Sequence, residues 1–351
     1  MFSAANSRGI CENWSPDGEY CVFTDGSGHQ IWAFDKRRGL FRHAPEQPVQ
    51  LTSGPTRWFN PVPSKDGKTI FAAGSSARGE LSRFDSKTRQ FQPFLGGISA
   101  DLVAFSKDGQ AVAYVSFPDG ILWRAKKDVS ERVQLSSPPL RPDSVSWSPD
   151  GSQIAFMSHL GPRTDVAYIV SSQGGTPTRL LPEEIGSQSD PSWSPDGRKM
   201  IFGTSLFGQN GEIRILDLAS RQVTTLPGST GMFSPHWSPD GQSIFTWTED
   251  ISKMLLFDIK TRSWSTIYKD RAAYSTWSRD GRFIYFLRYA SDPAVLRMPF
   301  CGGTPKIVAS LKDFTYTGTF GLWFGLDSSD APILLRDVGT QDVYALTLER
   351  K

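Results

Sequence analysis

Apolar and polar residues alternate along this chain in short runs, and the runs come in recurring sets. CVF at Cys21, IAFM at Ile154, MIFG at Met200 and IYFL at Ile284 form one group. A polar loop later comes a second: IWAFD at Ile31, AYIVS at Ala167, IRILD at Ile213 and MLLFD at Met254. A third follows, with PVQLT at Pro48, PTRLL at Pro177, QVTTL at Gln222 and PKIVA at Pro305. Runs this short, rich in β-branched and aromatic residues, predict strands. With the apolar approach to the turn that opens each set, they make four strands per copy, here termed A to D.

The turn between A and B is written WSPDG at Trp14, Trp147, Trp193 and Trp237, WSRDG at Trp277, and SKDG before Gly67 and Gly109. Serine accepts a hydrogen bond at the first position, proline presets φ at the second, aspartate tolerates the third, and glycine supplies a positive φ at the fourth. Marked by Gly18, Gly67, Gly109, Gly151, Gly197, Gly241 and Gly281, the copies lie 40 to 49 residues apart. A degenerate eighth, LDSSDAPILL from Leu326, lies over WSPDGSQIAF from Trp147 and sets Asp330 at the glycine position. Four-stranded antiparallel units at this period predict a β-propeller, all-β and single-domain over 1–351, with eight blades. The last copy shows strands A (320–326), B (332–337) and C (342–348). Residues 1–9 are the candidate for its missing outer strand. Tryptophan before each turn is expected to pack between blades.

Composition refines this little. Thirty-two Gly and 24 Pro suit many tight turns. Lys plus Arg exceed Asp plus Glu by only 38 to 36, which disfavours a nucleic-acid or membrane-surface partner. Three cysteines, Cys11, Cys21 and Cys301, without CxxC spacing indicate neither a disulfide framework nor a zinc site, with a Cys11 to Cys21 hairpin bridge as the alternative. Neither an export signal nor a spanning apolar run is written in the chain, so as it stands it reads as soluble and cytoplasmic. A closed propeller hides its sheet edges, and a monomer is expected.

No GxSxG, HExxH, GxxxxGK or calcium-loop pattern occurs, no cofactor is indicated, and a non-enzymatic binding module is expected. Large and charged residues gather on the face opposite the A to B turns. Arg57, Trp58, Arg78, Phe117, Arg163, Phe207, Arg288 and Tyr289 are the candidates for contact with a protein or peptide partner, being types that dominate binding hot spots. Asp101, Asp143 and Asp190, at strand A entries, and His236, within a strand A, are candidates for the channel mouth. They would also carry the alternative, a propeller hydrolase or lyase. Strand capping is the structural alternative for the aspartates, and a satisfied channel histidine for His236. His29, His43 and His159 fall in separate loops.

The repeat as a whole resembles the WD-like propeller repeat of the TolB family. NPVPSKDGK at Asn60, GGTPTRLLP at Gly174, TTLPGSTGMFSPHWSPDG at Thr224 and PILLRDVGTQDVYAL at Pro332 are similar to the carboxyl-terminal propellers of bacterial winged-helix regulators of the CadC or OmpR type. That resemblance implies a sensory, extracytoplasmic propeller. It does not carry over DNA binding or membrane insertion, since neither a winged helix nor a spanning segment precedes Cys11.

Overall fold

The computed structural model describes residues 11–25, 29–35, 48–161, 164–181, 186–205, 210–319 and 321–348. Its strands form eight antiparallel sheets, seven of four strands and one of three. They belong to two compact units, one of residues 1–78 with 338–351 and the other of 79–337. The helical content among the described residues is a single 3-10 turn, Leu95–Gly97.

Each A to B turn closes by the same local chemistry. The glycine N–H donates to the serine carbonyl at 2.8–3.0 Å, with glycine φ between 65° and 72°. The serine hydroxyl donates to the aspartate at 2.5–2.7 Å. It also accepts from the backbone N–H five residues on, at 2.9–3.1 Å. Serine, aspartate and glycine thus saturate a turn that would otherwise leave polar groups unpaired. In the eighth copy Asp327 takes the serine position, accepting from Ser329 and Ala331 N–H, and Asp330 adopts the positive φ of 62°.

In the unit of 79–337, six four-stranded sheets follow one another. Blade I runs from Ala100–Phe105 to Val133–Gln134, blade II from Pro142–Trp147 to Thr178–Arg179, and blade III from Ser189–Trp193 to Val223–Thr225. Blade IV runs from Met232–Trp237 to Ser263–Lys269, and blade V from Ala272–Trp277 to Lys306–Ser310. Blade VI is composite: Gly325–Leu326 and Pro332–Asp337 are completed by Gly79–Asp85 and Gln90–Pro93. Six apolar clusters join successive blades and return to the start. Leu122 of I meets Phe156 of II, Ala155 meets Phe202 of III, and Ile201 meets Ile244 of IV. Trp247 of IV then meets Phe286 of V, Leu287 meets Leu334 of VI, and Ile333 meets Val112 of I. Burial of both faces of every sheet is what stabilises a propeller, and this unit is a closed ring of six.

The unit of 1–78 with 338–351 holds two sheets. Asn13–Trp14, Tyr20–Thr24, Ile31–Asp35 and Val49–Gln50 make the first; Arg57–Pro63, Thr69–Ser76 and Thr340–Thr347 make the second. Tyr20, Val22, Ile31, Trp58, Ile70 and Ala72 form its core.

Strand pairing differs from the repeat order in one respect. Strand C of the last copy was expected beside its own strand B. Instead Pro332–Asp337 pairs with Gly79–Asp85, and Thr340–Thr347 pairs with Thr69–Ser76. The second and eighth copies exchange their third strands, and this exchange closes six blades where counting copies suggested eight. Residues 1–9, the expected closing strand, lie outside the described residues. A second correction concerns the cysteines. The first hairpin folds the segment before Asn13 back along Tyr20–Thr24, and Cys11 and Cys21, with Cα atoms 5.9 Å apart, are joined.

Candidate functional site

Every strand A of blades I to V carries a β-bulge three residues before the tryptophan position. The bulged residues, Leu102, Ser144, Asp190, Ser234 and Tyr274, all have φ of 49° to 53°. Left-handed backbone is unusual for residues other than glycine and costs roughly 1–3 kcal/mol each. Bulges re-aim side chains, and all five residues line a central cavity of about 1800 Å³. The cavity extends from Pro149, Pro195 and Arg279 at the turn face to Asp143, Asp165 and Tyr289 at the other.

At that second end the side chains interlock. His159 Nδ1 lies 2.6 Å from Asp165 Oδ1 and its Nε2 lies 3.3 Å from Asp143 Oδ2. Asp165 also accepts from the Ser187 hydroxyl at 3.3 Å, and Asp143 from the Ser144 N–H at 2.7 Å. The Ser144 hydroxyl donates to Asp190 of the next blade. Hydrogen bonds to Asp143 and Asp165 push the His159 imidazole up to about 10, so it stands as imidazolium at neutral pH. Burial pushes Asp190 up to about 6 against the stabilising Ser144 hydroxyl, and the charge on Asp143 adds to the rise. Burial raises Tyr274 above the ordinary phenol range, with the Tyr289, Asp143, Asp101 and Asp190 charges adding to it. The mouth is therefore acidic, partly dry and edged by two tyrosines.

Of the four residues assigned to the mouth, Asp143, Asp190 and His236 line the cavity. They are not in equivalent positions: Asp143 precedes its bulge and Asp190 is the bulged residue. Asp101, 1% exposed, caps backbone instead, accepting from Leu102 N–H at 3.0 Å and Thr319 N–H at 2.8 Å. Its carboxyl is pushed up to about 6 by burial. His236 lies farther along the wall with its ring 4.8 Å from Phe245, and burial lowers it to about 4, leaving it neutral.

The described candidate contact residues are divided between the two units. Tyr289 is 40% exposed, lines the cavity, and donates to the Leu322 carbonyl at 3.2 Å. Arg288 pairs with Asp292 at 2.6 Å, and Phe117 is half-buried with both backbone groups bonded to Ser99. Arg57 and Arg78 are exposed in the other unit. Trp58 belongs to that unit's core, where it meets Tyr344 edge-on at 5.2 Å, so its ring area is unavailable to a partner. Arg163 and Phe207 lie outside the described residues.

Sequence reasoning missed His159, Asp165 and the bulged serines. A signal existed: His159 and Asp165 flank a hairpin tip symmetrically and pair directly across it. Among the described residues no group of three or more His, Cys, Asp or Glu could hold a metal ion.

The tryptophans pack between blades as expected where they belong to the ring. Trp147 Nε1 donates to the Ala104 carbonyl of blade I at 3.0 Å, and Trp277 packs tilted against Phe245 of blade IV, ring centroids 5.4 Å apart. Trp14, in the smaller unit, is 50% exposed.

No protein-family model matches the sequence. An uncharacterised protein of Agrobacterium fabrum is 25% identical over 228 residues, 62% of this chain and 76% of that protein. A Tol-Pal system protein TolB of Ruthia magnifica is 35% identical over 83 residues, 24% of this chain but only 19% of the relative's length. A solved structure from Agrobacterium tumefaciens, described there as a TolB, superposes with a TM-score of 0.59 at 20% identity, over 75% of this chain and 99% of the other. The fold is that of a TolB-like β-propeller.

Proposed function

We propose that this chain is a non-enzymatic propeller that holds a protein or peptide partner at the acidic end of its channel. The observation that carries this reading is the convergence of Asp143, Asp165, Asp190, Tyr274 and Tyr289 on one opening of a rigid ring. Pre-formed rims of this kind spend little entropy on ordering when a partner arrives, and tyrosines with partly desolvated carboxylates suit a basic segment. Likeness to a TolB of the Tol-Pal system supports a protein partner rather than a small substrate.

The narrower reading, that binding at this mouth serves a sensor at the end of a winged-helix regulator, rests on the sequence resemblance alone. The enzymatic alternative is weakened by the histidines. His159 is held charged by two carboxylates and cannot act as a base near neutrality, and among the described residues His236 Nε2 has only the Ser234 hydroxyl, 3.5 Å away, as a polar neighbour.

An array of short peptides of graded charge, probed with labelled full-length protein, tests the proposal. Basic peptides should bind in a salt-dependent manner and lose binding on Asp190→Lys with Tyr289→Ala. Retention of acidic or uncharged peptides alone, or binding indifferent to both substitutions, would overturn it.

A further inference from the structure

Among the described residues, Thr340–Thr347 is the outer strand of a sheet of three, where the seven others have four. Its register places Thr340 opposite Ser76 and Thr347 opposite Thr69. At the two ends, in the same register, Val338 N–H donates to the Arg78 carbonyl and Leu348 N–H to the Lys68 carbonyl. In an antiparallel ladder, residues directing both backbone groups to the neighbour alternate with residues directing both away. The even-numbered residues therefore face inward, and Gln341, Val343, Ala345 and Thr347 direct N–H and C=O to the open edge. All four are exposed, Val343 at 77%.

Proteins blunt such edges with lysine, proline or a bulge. This strand has none of these. Its pairing with Thr69–Ser76 is unbroken over eight residues, and its one charged side chain is Asp342. Two apolar rows also run into the edge on one face, Val62–Phe71–Ala345 and Phe59–Ala73–Val343, with Val62 47% and Phe71 46% exposed. The strand that completes this sheet must carry small apolar residues opposite Val343 and Ala345.

We propose that a second copy of this chain occupies the edge, strand to strand and antiparallel, with the two-fold axis at Tyr344. An isologous contact places the same patch on both partners, and this register sets Val343 against Ala345 of the second copy and Gln341 against its Thr347. Every outward backbone group is then paired, in ~8 hydrogen bonds. Asp342 faces Leu346 of the second copy and is displaced from its own counterpart, so no like charges oppose. The apolar rows continue from one copy to the other, and the two three-stranded sheets become one of six. A closed propeller was expected to be monomeric because it hides its sheet edges; the exchange of third strands leaves the edge of the last copy's missing fourth strand on Thr340–Thr347.

Sedimentation equilibrium of the full chain tests this. The mass should rise from 38.9 kDa to twice that with concentration, with half-association at roughly micromolar levels. Ala345→Pro removes one outward N–H at a site where an edge strand tolerates proline, and should weaken the dimer more than 10-fold with unchanged circular dichroism. Val343→Lys should do the same by placing a charge at the contact, and carries the test if the proline variant misfolds. A single-chain mass up to about 100 μM, or a dimer indifferent to both substitutions, overturns the proposal.

Discussion

The Arg279 guanidinium of blade V donates to the Ser106 carbonyl of blade I at 3.0 Å, passing the turn of blade VI that lies between them. It also reaches the Lys107 carbonyl at 2.8 Å, and the Arg279 N–H donates to Asp330 in the blade VI turn at 3.1 Å. One residue thereby ties three blades where the ring closes. It occupies the position filled by proline in the four WSPDG copies.

Arg279→Pro would restore the majority spelling of the turn, and proline there stabilises by about 0.4–1 kcal/mol through the unfolded state. The lost charged hydrogen bonds are worth roughly 1.5–3 kcal/mol. The loss prevails, and the melting temperature should fall by about 2 °C. Calorimetry of this variant beside Arg279→Lys would show whether the guanidinium fork is required.

Asp190 binds its proton more tightly in the folded chain than in the unfolded one, with its carboxyl raised to about 6. Stability is therefore lost as pH rises from about 4 to about 6. Asp190→Asn keeps an acceptor for Ser144 and tolerates the left-handed backbone. At pH 7 it should stabilise by about 2 kcal/mol, a figure reduced from the full shift because the carboxylate keeps an opening to the cavity. At pH 3.5 the gain should vanish. Thermal melts at the two pH values check this, and a stability gain coupled to loss of peptide binding would identify Asp190 as a residue kept for function.

His159 has linkage of the same sign in a higher pH window. Its imidazole is raised from 6.5 to about 10, so its contribution is fully present below about pH 6.5 and fades as pH rises through about 10. His159→Gln leaves Asp143 and Asp165 without their shared cation and should be less stable than wild type near pH 6. The two melting curves should converge toward pH 10.5. A constant difference across that range would mean the imidazole acts by packing alone.

Two tryptophans in equivalent positions should respond differently to removal of the indole N–H. Trp147 donates to the Ala104 carbonyl, whereas the buried Trp193 Nε1 has no hydrogen-bond partner among the described residues. Trp147→Phe forfeits an inter-blade hydrogen bond worth about 1 kcal/mol besides ring area. Trp193→Phe forfeits area only and relieves an unpaired donor, so it should be the milder change in urea titration. The reverse order would show that the Trp193 N–H meets solvent in the channel.

Sequence alone determined the turns, the strands and the number of sheets. Each of these depends on groups within about five residues of one another: the serine hydroxyl, the aspartate carboxylate and the positive φ of glycine act locally wherever the five letters occur. Even the degenerate copy was legible, because Asp330 can take the conformation that glycine takes elsewhere. Tertiary structure decided the rest. Gly79–Asp85 and Thr340–Thr347 are both short alternating strands, and either could complete Thr69–Ser76 or Pro332–Asp337 by local criteria; only packing against blades I and V selects the partner. The mouth was likewise hidden. His159, Asp143, Asp165 and Asp190 come from two blades and four strands, and a bulge at a common position turns Ser144 and Asp190 toward one another. Spacing along a chain reports what neighbours can do for each other, whereas carboxylates brought together by the curvature of a ring leave no period to read.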